Sequence, residues 1–188
     1  DFSDGVGQLC AFTASDVYVD SNIDQECLDE GCGFENNPFK TIKRTLEMIN
    51  PSDDNPITIH LAAGTYSPET GESFPLNMNS NINLVGEDQE TTILDAMETG
   101  RVITIRDVRN NLISNLTLTN GRTLIITDIN EFNEIISPDN WDDRDYRGGG
   151  IYVEQSMPQF NDLNIVNNYA TEGGGVYLRT HAAIALNN

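Results

Sequence analysis

Cationic side chains are scarce in this sequence. Ten lysines and arginines stand against 30 aspartates and glutamates, and the formal net charge is −20. A field of that sign repels nucleic acid and anionic membranes and attracts cations. The charge balance therefore argues against nucleic acid as a partner. An acidic surface also serves simply to keep an extracellular protein soluble.

Long hydrophobic runs are absent as well. No apolar stretch approaches the roughly 20 residues that a membrane-spanning helix needs, so we expect no direct membrane insertion. The chain starts at Asp1 without the charged and apolar segments of a signal peptide, and it stops at Asn188 inside a strand-like pattern. We therefore expect a secreted or cell-surface protein whose leader has been removed and whose parent chain is truncated here at the C-terminus.

Cysteine is limited to Cys10, Cys27 and Cys32. Cys27 and Cys32, with no histidine nearby, make a poor zinc pattern. They flank a short acidic, turn-like stretch that a local disulfide could close, and we predict that bond. Pairing of Cys10 with either of the other two, or three reduced thiols, are the alternatives. A disulfide fits an oxidising compartment.

Catalytic signatures are missing too. The two histidines, His60 and His181, are isolated in strand-like segments, and no Ser-His-Asp, Cys-His or phosphate-loop pattern occurs. Arg101, Arg106 and Arg109 cluster in sequence, but no pattern shows that they converge with a carboxylate. We therefore assign no catalytic residue and expect both histidines to be structural.

One segment does carry a helical pattern. Asn37 is a good N-cap, Pro38 suits the first helical position, and Asn50-Pro51 ends the pattern. A single apolar stripe runs between them, consisting of Phe39, Ile42, Leu46 and Ile49. The spacing predicts an amphipathic helix over 38–49, after a first strand over 16–20.

From Pro56 onward, short β-prone runs alternate with Gly and Asn turns, and no helical segment separates them. Gly-Gly-Gly-Ile-Tyr-Val at 148–153 recurs as Gly-Gly-Gly-Val-Tyr-Leu at 173–178, a shift of about 25 residues, and 115–120 matches 162–167 in pattern. This repetition predicts a β-solenoid of parallel coils around a column of Ile, Val and Leu. A leucine-rich repeat would need a fixed Leu and Asn spacing, which is absent.

The predicted solenoid needs a lid, because its first coil would otherwise expose the apolar column and an open sheet edge. The helix over 38–49 is placed to supply that lid. We therefore divide the chain into an N-terminal cap over 1–55, with a strand, a cysteine loop and the helix, and β-helix coils over 56–188.

These segments resemble a known superfamily. VYVD at 17–20, NPFKTI at 37–42, IHLAAGTY at 59–66 and INLVG at 82–86 resemble the capping region of the pectin-lyase-like β-helices. The repeats from 115 onward resemble those of polymorphic outer-membrane and adhesin-type β-helix proteins. The resemblance implies an all-β, right-handed parallel β-helix outside the cell. It leaves the activity open, because the superfamily contains lyases, hydrolases, binding modules and stalks.

Oxygen ligands recur at alternate positions in the cysteine loop. The candidates for a Ca²⁺ site are Asp20, Asn22, Asp24 and Glu26. Calcium takes six to eight oxygen ligands, which alternating Asp and Asn in a turn can supply. The alternative is a solvated acidic loop with local side-chain-to-backbone hydrogen bonds.

An insertion over 122–147 is too long for an ordinary turn and predicts a lateral loop. It holds the single tryptophan, Trp141, among acidic residues, and the candidate glycan site consists of Trp141, Tyr146, Asp139, Asp142, Asp143 and Asp145. An aromatic ring stacks on the apolar face of a sugar while carboxylates accept its hydroxyls. Alternatively, Trp141 and Tyr146 pin the loop to the coils, or the aspartates share a cation.

Two functions follow as hypotheses. The first is a non-catalytic extracellular or cell-surface module, the capped base of a longer solenoid, for adhesion, surface assembly or glycan contact. Its partners would be polysaccharides or other surface proteins. The second is the N-terminal part of a polysaccharide lyase or hydrolase whose active site lies beyond this chain.

Overall fold

A computed structural model describes residues 14–27, 31–123 and 146–187, in which short strands alternate with turns. The strands are β1 (Asp16–Val19), β2 (Ile57–Leu61), β3 (Gly64–Tyr66), β4 (Leu76–Asn77), β5 (Ile82–Gly86), β6 (Thr92–Asp95), β7 (Ile103–Arg106), β8 (Leu112–Thr119), β9 (Ile151–Glu154), β10 (Gln159–Val166), β11 (Val176–Arg179) and β12 (Ala185–Asn187). One α-helix, α1 (Ile42–Met48), and one 3₁₀-helix (Pro68–Thr70) complete the described elements.

Every strand pairs in parallel with strands of neighbouring coils, and three faces result. Face A contains β1, β2, β5, the first halves of β8 and β10, and β12. Face B contains β3, β6 and the second halves of β8 and β10, and face C contains β4, β7, β9 and β11. The chain is therefore an all-β parallel β-helix, as predicted.

The long strands β8 and β10 pass from face A to face B without a break. Each bends at one residue with left-handed backbone, Asn115 with φ 57° and Asp162 with φ 48°. Asn and Asp tolerate this conformation better than other side chains that carry a Cβ. The sequence match between 115–120 and 162–167 therefore reflects the same bend in two successive coils.

The inward side chains form the predicted apolar column. On face A, Ile59, Leu84, Ile113 and Phe160 lie in register from coil to coil, and all are buried. The strands of a β-helix alternate inward and outward side chains, so every second residue joins this column. Burial becomes incomplete in the last described coil, where Leu163, Ile165 and Val176 are only partly buried and Leu186 is 68% exposed.

The repeated glycine triplets immediately precede two strands of face C, β9 and β11. Gly148 and Gly173 both have φ 64°, in the left-handed region, and they precede β9 and β11. Ile151 then pairs with Val176 in the register that the repeat predicts. The first glycine of each triplet is thus a conformational requirement of the corner.

Helix α1 is shorter than the predicted span over 38–49. It begins at Ile42, and its N-cap is Thr41, whose hydroxyl accepts a hydrogen bond from the Arg44 N–H at 3.3 Å. Asn37 instead closes a turn with Phe34, while the backbone of Phe39 bonds to Tyr18 and Asp20. Pairing with β1 keeps this segment extended, so the prediction that Asn37 caps the helix was wrong.

The four stripe residues are nevertheless buried in the main core, with Phe39 and Ile42 at most 2% exposed. The N-terminus of α1 meets two carboxylates from other parts of the chain. Glu72 accepts hydrogen bonds from the Ile42 and Lys43 N–H groups, and Glu26 accepts from Lys40 N–H and the Thr41 hydroxyl. The carboxylates accept hydrogen bonds from amide groups that have no partner within the helix, and their negative charge interacts favourably with the helix dipole. Burial raises the pKa of Glu72 in spite of the amide donors.

Cys27 and Cys32 form a disulfide with a Cα–Cα distance of 5.7 Å, which confirms the predicted pairing; Cys10 lies outside the described residues. The bond closes the loop between β1 and α1 and sets Cys32 in the core. In the described ranges, no helix is long and apolar enough to cross a membrane.

Candidate functional site

The four residues of the predicted calcium site have separate contacts. Asp20 Oδ1 accepts hydrogen bonds from the backbone and side-chain amides of Asn22 at 2.9 and 2.8 Å. Glu26 binds the start of α1, and the Asp24 backbone carbonyl accepts from Lys40 Nζ at 3.1 Å. Among the described residues, no three His, Cys, Asp or Glu side chains are grouped so that they could hold a metal ion. Calcium binding by this loop stays a prediction.

That prediction has a direct test. If the loop binds Ca²⁺ in the folded state, millimolar Ca²⁺ raises the melting temperature, and Mg²⁺ at equal ionic strength does not. Asp24→Asn should abolish the Ca²⁺ effect, whereas Asp54→Asn, at an exposed position outside the loop, should retain it. Differential scanning fluorimetry of the parent protein and both variants with each ion measures these shifts. Equal shifts with the two ions would show charge screening and remove the case for a site.

The predicted glycan site lies mostly outside the described residues, which include neither Trp141 nor its four neighbouring aspartates, Asp139, Asp142, Asp143 and Asp145. Tyr146 is described and is 1% exposed, with the Arg147 guanidinium 4.8 Å from its ring centroid. A buried ring offers no face to a sugar, so Tyr146 fits the alternative in which it anchors the chain. Backbone bridges place Arg122 beside Tyr169 and Arg147 beside Glu172.

The three clustered arginines do not converge. Arg109 binds Asp53 with its Nη2 2.8 Å from Oδ2, whereas Arg106 contacts Asp107 and Glu154. Arg101 lies over the Tyr152 ring on face C, with its guanidinium carbon 4.8 Å from the centroid. The contacts of Arg106 with Glu154 and of Arg101 with Tyr152 link neighbouring coils.

An open groove of about 320 Å³ lies on face A, over the ends of β1, β2 and β5. Its lining includes Tyr18 and Asp20 from the first coil, His60 from the second and Glu87 from the third, with Glu35 from the loop before α1. The chain turns toward face B after each of these strands. The outward side chains at the strand ends therefore meet there, although they are far apart in sequence.

Two rings lie side by side in the lining of the groove. Tyr18 and His60 are partners in the β1–β2 register, and their rings are stacked with centroids 5.0 Å apart and an interplanar angle of 20°. His60 Nε2 lies 2.8 Å from Asp16 Oδ1, and the His60 side chain is 37% exposed. The His60 hydrogen bond, and then that of Ser15, lower the pKa of Asp16. The hydrogen bond to Asp16 and the stacking on Tyr18 hold the His60 ring in position, and part of its surface remains open to a ligand.

Small residues leave room beside the rings. Ala62 and Gly86 follow His60 and Val85 along the strands and line the same groove. Gly86 has no space for a side chain, because a Cβ would collide with the carbonyl oxygen of Asn115 in the next coil. The close approach of the coils thus requires a glycine at this position.

Sequence reasoning missed the groove. It expected His60 to be structural, because the histidine looked isolated along the chain. The signal that could have found it was the outward position of His60 in a strand: parallel stacking puts outward residues of successive coils side by side. The register that selects Tyr18 as its neighbour depends on the cysteine loop and α1, and the sequence does not specify their path.

The comparisons with known proteins concern fold and family. A family model described as "Protein of unknown function (DUF1565)" matches residues 27–187, and no curated protein matches the chain. Among solved structures, pectin methylesterase PemA from Erwinia chrysanthemi is 18% identical over 90% of this chain and 49% of its own, with a TM-score of 0.47. A mutant pectin methylesterase in complex with a hexasaccharide has the same identity and coverage, with a TM-score of 0.48. The chain spans about half the length of these two structures, and likeness at this identity concerns the fold alone.

Proposed function

We propose that this chain, which belongs to the DUF1565 family, is a non-catalytic extracellular β-helix module that contacts glycans through the face A groove. The observation that carries the proposal is the stacked Tyr18–His60 pair in an open groove with carboxylates around it. A ring presents an apolar surface to the C–H face of a sugar, and carboxylates accept hydrogen bonds from its hydroxyls.

The compartment and the architecture support the same proposal. The Cys27–Cys32 disulfide is typical of proteins that fold in an oxidising environment. A further coil stacked on the last described one would bury three apolar side chains more completely. These are the partly buried Leu163 and Ile165 and the exposed Leu186. The module would then be the capped base of a longer solenoid, for adhesion or surface assembly.

A polysaccharide lyase or hydrolase is the second candidate. The observation in its favour is the His60–Asp16 pair, since a carboxylate that orients an imidazole is a common general-base arrangement. A lyase needs a cation to stabilise the charge that develops on the uronate, and among the described residues that line the groove there is no arginine or lysine. A hydrolase uses two carboxylates, a residue type that the groove does contain. Contact without chemistry is the first candidate because the stacked ring pair is a feature of sugar binding.

Binding of soluble hexasaccharides, measured by isothermal titration calorimetry, tests the proposal. Tyr18→Ala should weaken any oligosaccharide that binds by about tenfold, because a lost stacking contact is worth about 1.4 kcal/mol. Tyr169→Ala is the matched control, since Tyr169 is exposed and lies elsewhere in the chain. Thermal denaturation shows whether each variant remains folded.

Two further arms separate the alternatives. Trp141→Ala reports on the insertion: if it abolishes binding and Tyr18→Ala does not, the glycan site is not the groove. Chromatography of the incubated sugar reports on catalysis, and cleavage that His60→Gln removes would favour the enzyme. The proposal fails if no neutral, amino or acidic oligosaccharide binds.

A further inference from the structure

We infer that the face A groove selects oligosaccharides that carry protonated amino groups, of the glucosamine type, over those made of uronic acids. The inference rests on the proposed function of this groove and adds the chemical class of its ligand. It is carried by the charge and the position of the carboxylates relative to the ring pair.

The charge inside the groove has one sign. Three carboxylates, Asp20, Glu35 and Glu87, line it, and none of its described lining residues is a lysine or arginine. The nearby ammonium group of Lys40 is directed to the Asp24 carbonyl at 3.1 Å. With a net charge of −20 on the whole chain, the groove attracts a cation and repels a sugar carboxylate.

Two of these carboxylates are held in position by one oxygen only. Asp20 Oδ1 accepts from Asn22, and Glu87 Oε2 accepts from the Ala63 backbone N–H at 3.1 Å. Within the described ranges, no hydrogen bond reaches the second oxygen of either group. A carboxylate has acceptor sites on both oxygens, so each can bind an ammonium group without losing its present contact. Fixing them in advance reduces the ordering cost of binding.

The position of these groups suits a sugar on the ring pair. Asp20 and Glu87 follow the strands β1 and β5, on either side of β2, which carries His60. Because the two rings stack on each other, each leaves only its outer face and its edge to a ligand. A sugar in contact with them would have carboxylates on two sides, and Glu35 on the loop before α1 adds a third. The amino group of the sugar would therefore find a carboxylate whichever way the oligosaccharide runs along the groove.

A uronate in the same position would put a carboxylate beside three others without a cation to pair with. Like charges at short distance oppose binding, and the loss increases as the site excludes water. A neutral N-acetylated sugar would keep the ring stacking and lose only the charge attraction. The expected order of affinity is therefore amino sugar, then N-acetylated or neutral sugar, then uronic acid.

The experiment compares three hexasaccharides by isothermal titration calorimetry at a mildly acidic pH, at which the amine is protonated. The probes are the glucosamine hexamer, its N-acetylated form and the galacturonic acid hexamer. Glu87→Gln and Glu35→Gln should each weaken the glucosamine hexamer by about threefold, as expected for partly exposed ion pairs. Each should change the affinity for the N-acetylated hexamer less than that for the glucosamine hexamer, because the glutamine amide oxygen can still accept a hydrogen bond from a sugar hydroxyl. Glu90→Gln, at an exposed position that does not line the groove, should change neither affinity.

Rising salt should weaken the glucosamine hexamer and leave the N-acetylated hexamer unaffected, because only the former binds through charge. Equal affinities for these two hexamers, or tighter binding of the uronic acid hexamer, would overturn the inference and leave glycan binding standing. Binding of none of the three, together with none of the neutral oligosaccharides, would overturn the proposed function itself.

Discussion

Leu46→Asp is expected to lower the free energy of unfolding by about 3–5 kcal/mol, since it removes a buried apolar side chain and puts a charge in its place. Leu46 lies on the inner face of α1 in the same core cluster as Val17 and Val19 of β1. The carboxylate would have no cation within this cluster of apolar residues. An effect of this size is expected if α1 acts as the predicted lid of the first coil.

Urea denaturation at equilibrium measures the loss. Asn50→Asp adds the same charge at an exposed position just beyond the helix and should stay within about 0.5 kcal/mol of the parent protein. If Leu46→Asp also unfolds with the parent protein, α1 does not cap the stack, and the first coil must be stabilised by other contacts.

Gly121→Ala should destabilise the fold by about 2–4 kcal/mol, the range expected when a well-packed site must shift its backbone and lose hydrogen bonds. A Cβ on Gly121 would collide with the carbonyl oxygen of Gly149 at the start of the next strand of face C. Gly121 also donates its N–H to Asn168 Oδ1 at 2.7 Å, and Asn168 Nδ2 donates to the Leu118 carbonyl at 3.0 Å. Moving the chain to relieve the collision would break this side-chain bridge between coils.

Gly175→Ala is the matched control for this substitution. Its Cβ would meet only the Ile165 Cγ2 methyl group at 3.6 Å, an ordinary van der Waals distance. We expect a change of less than about 1 kcal/mol, with a small gain possible from the lower entropy of the unfolded chain. Equal losses of stability for the two substitutions would show that the collision with the Gly149 carbonyl oxygen is not the cause. Alanine would then be poorly tolerated at both glycines for another reason.

The repeated pattern of the sequence was sufficient to predict the coils. Alternating inward residues such as Ile57, Ile59 and Leu61 have to be buried, and the glycine triplets recur where the chain turns into face C. These features are local or repeat at a fixed spacing, so one coil predicts the next. The Cys27–Cys32 bond was predictable for the same reason, because its partners are close along the chain.

The start of α1 and the groove were not predictable in this way. Asn37 has the properties of an N-cap, yet pairing of Phe39 with β1 delays the helix to Ile42, and a tertiary contact overrides the local preference. His60 meets Tyr18 only because β1 and β2 align in one register across the cysteine loop and the cap.

The sequence by itself therefore determined the stack, its apolar column and its disulfide, since each depends on periodicity or on near neighbours. Only the tertiary structure decided which outward side chains share a surface. That choice depends on the register between coils, which aligns Tyr18 with His60. The candidate site is thus a property of the stacking, and no single segment of the chain carries it.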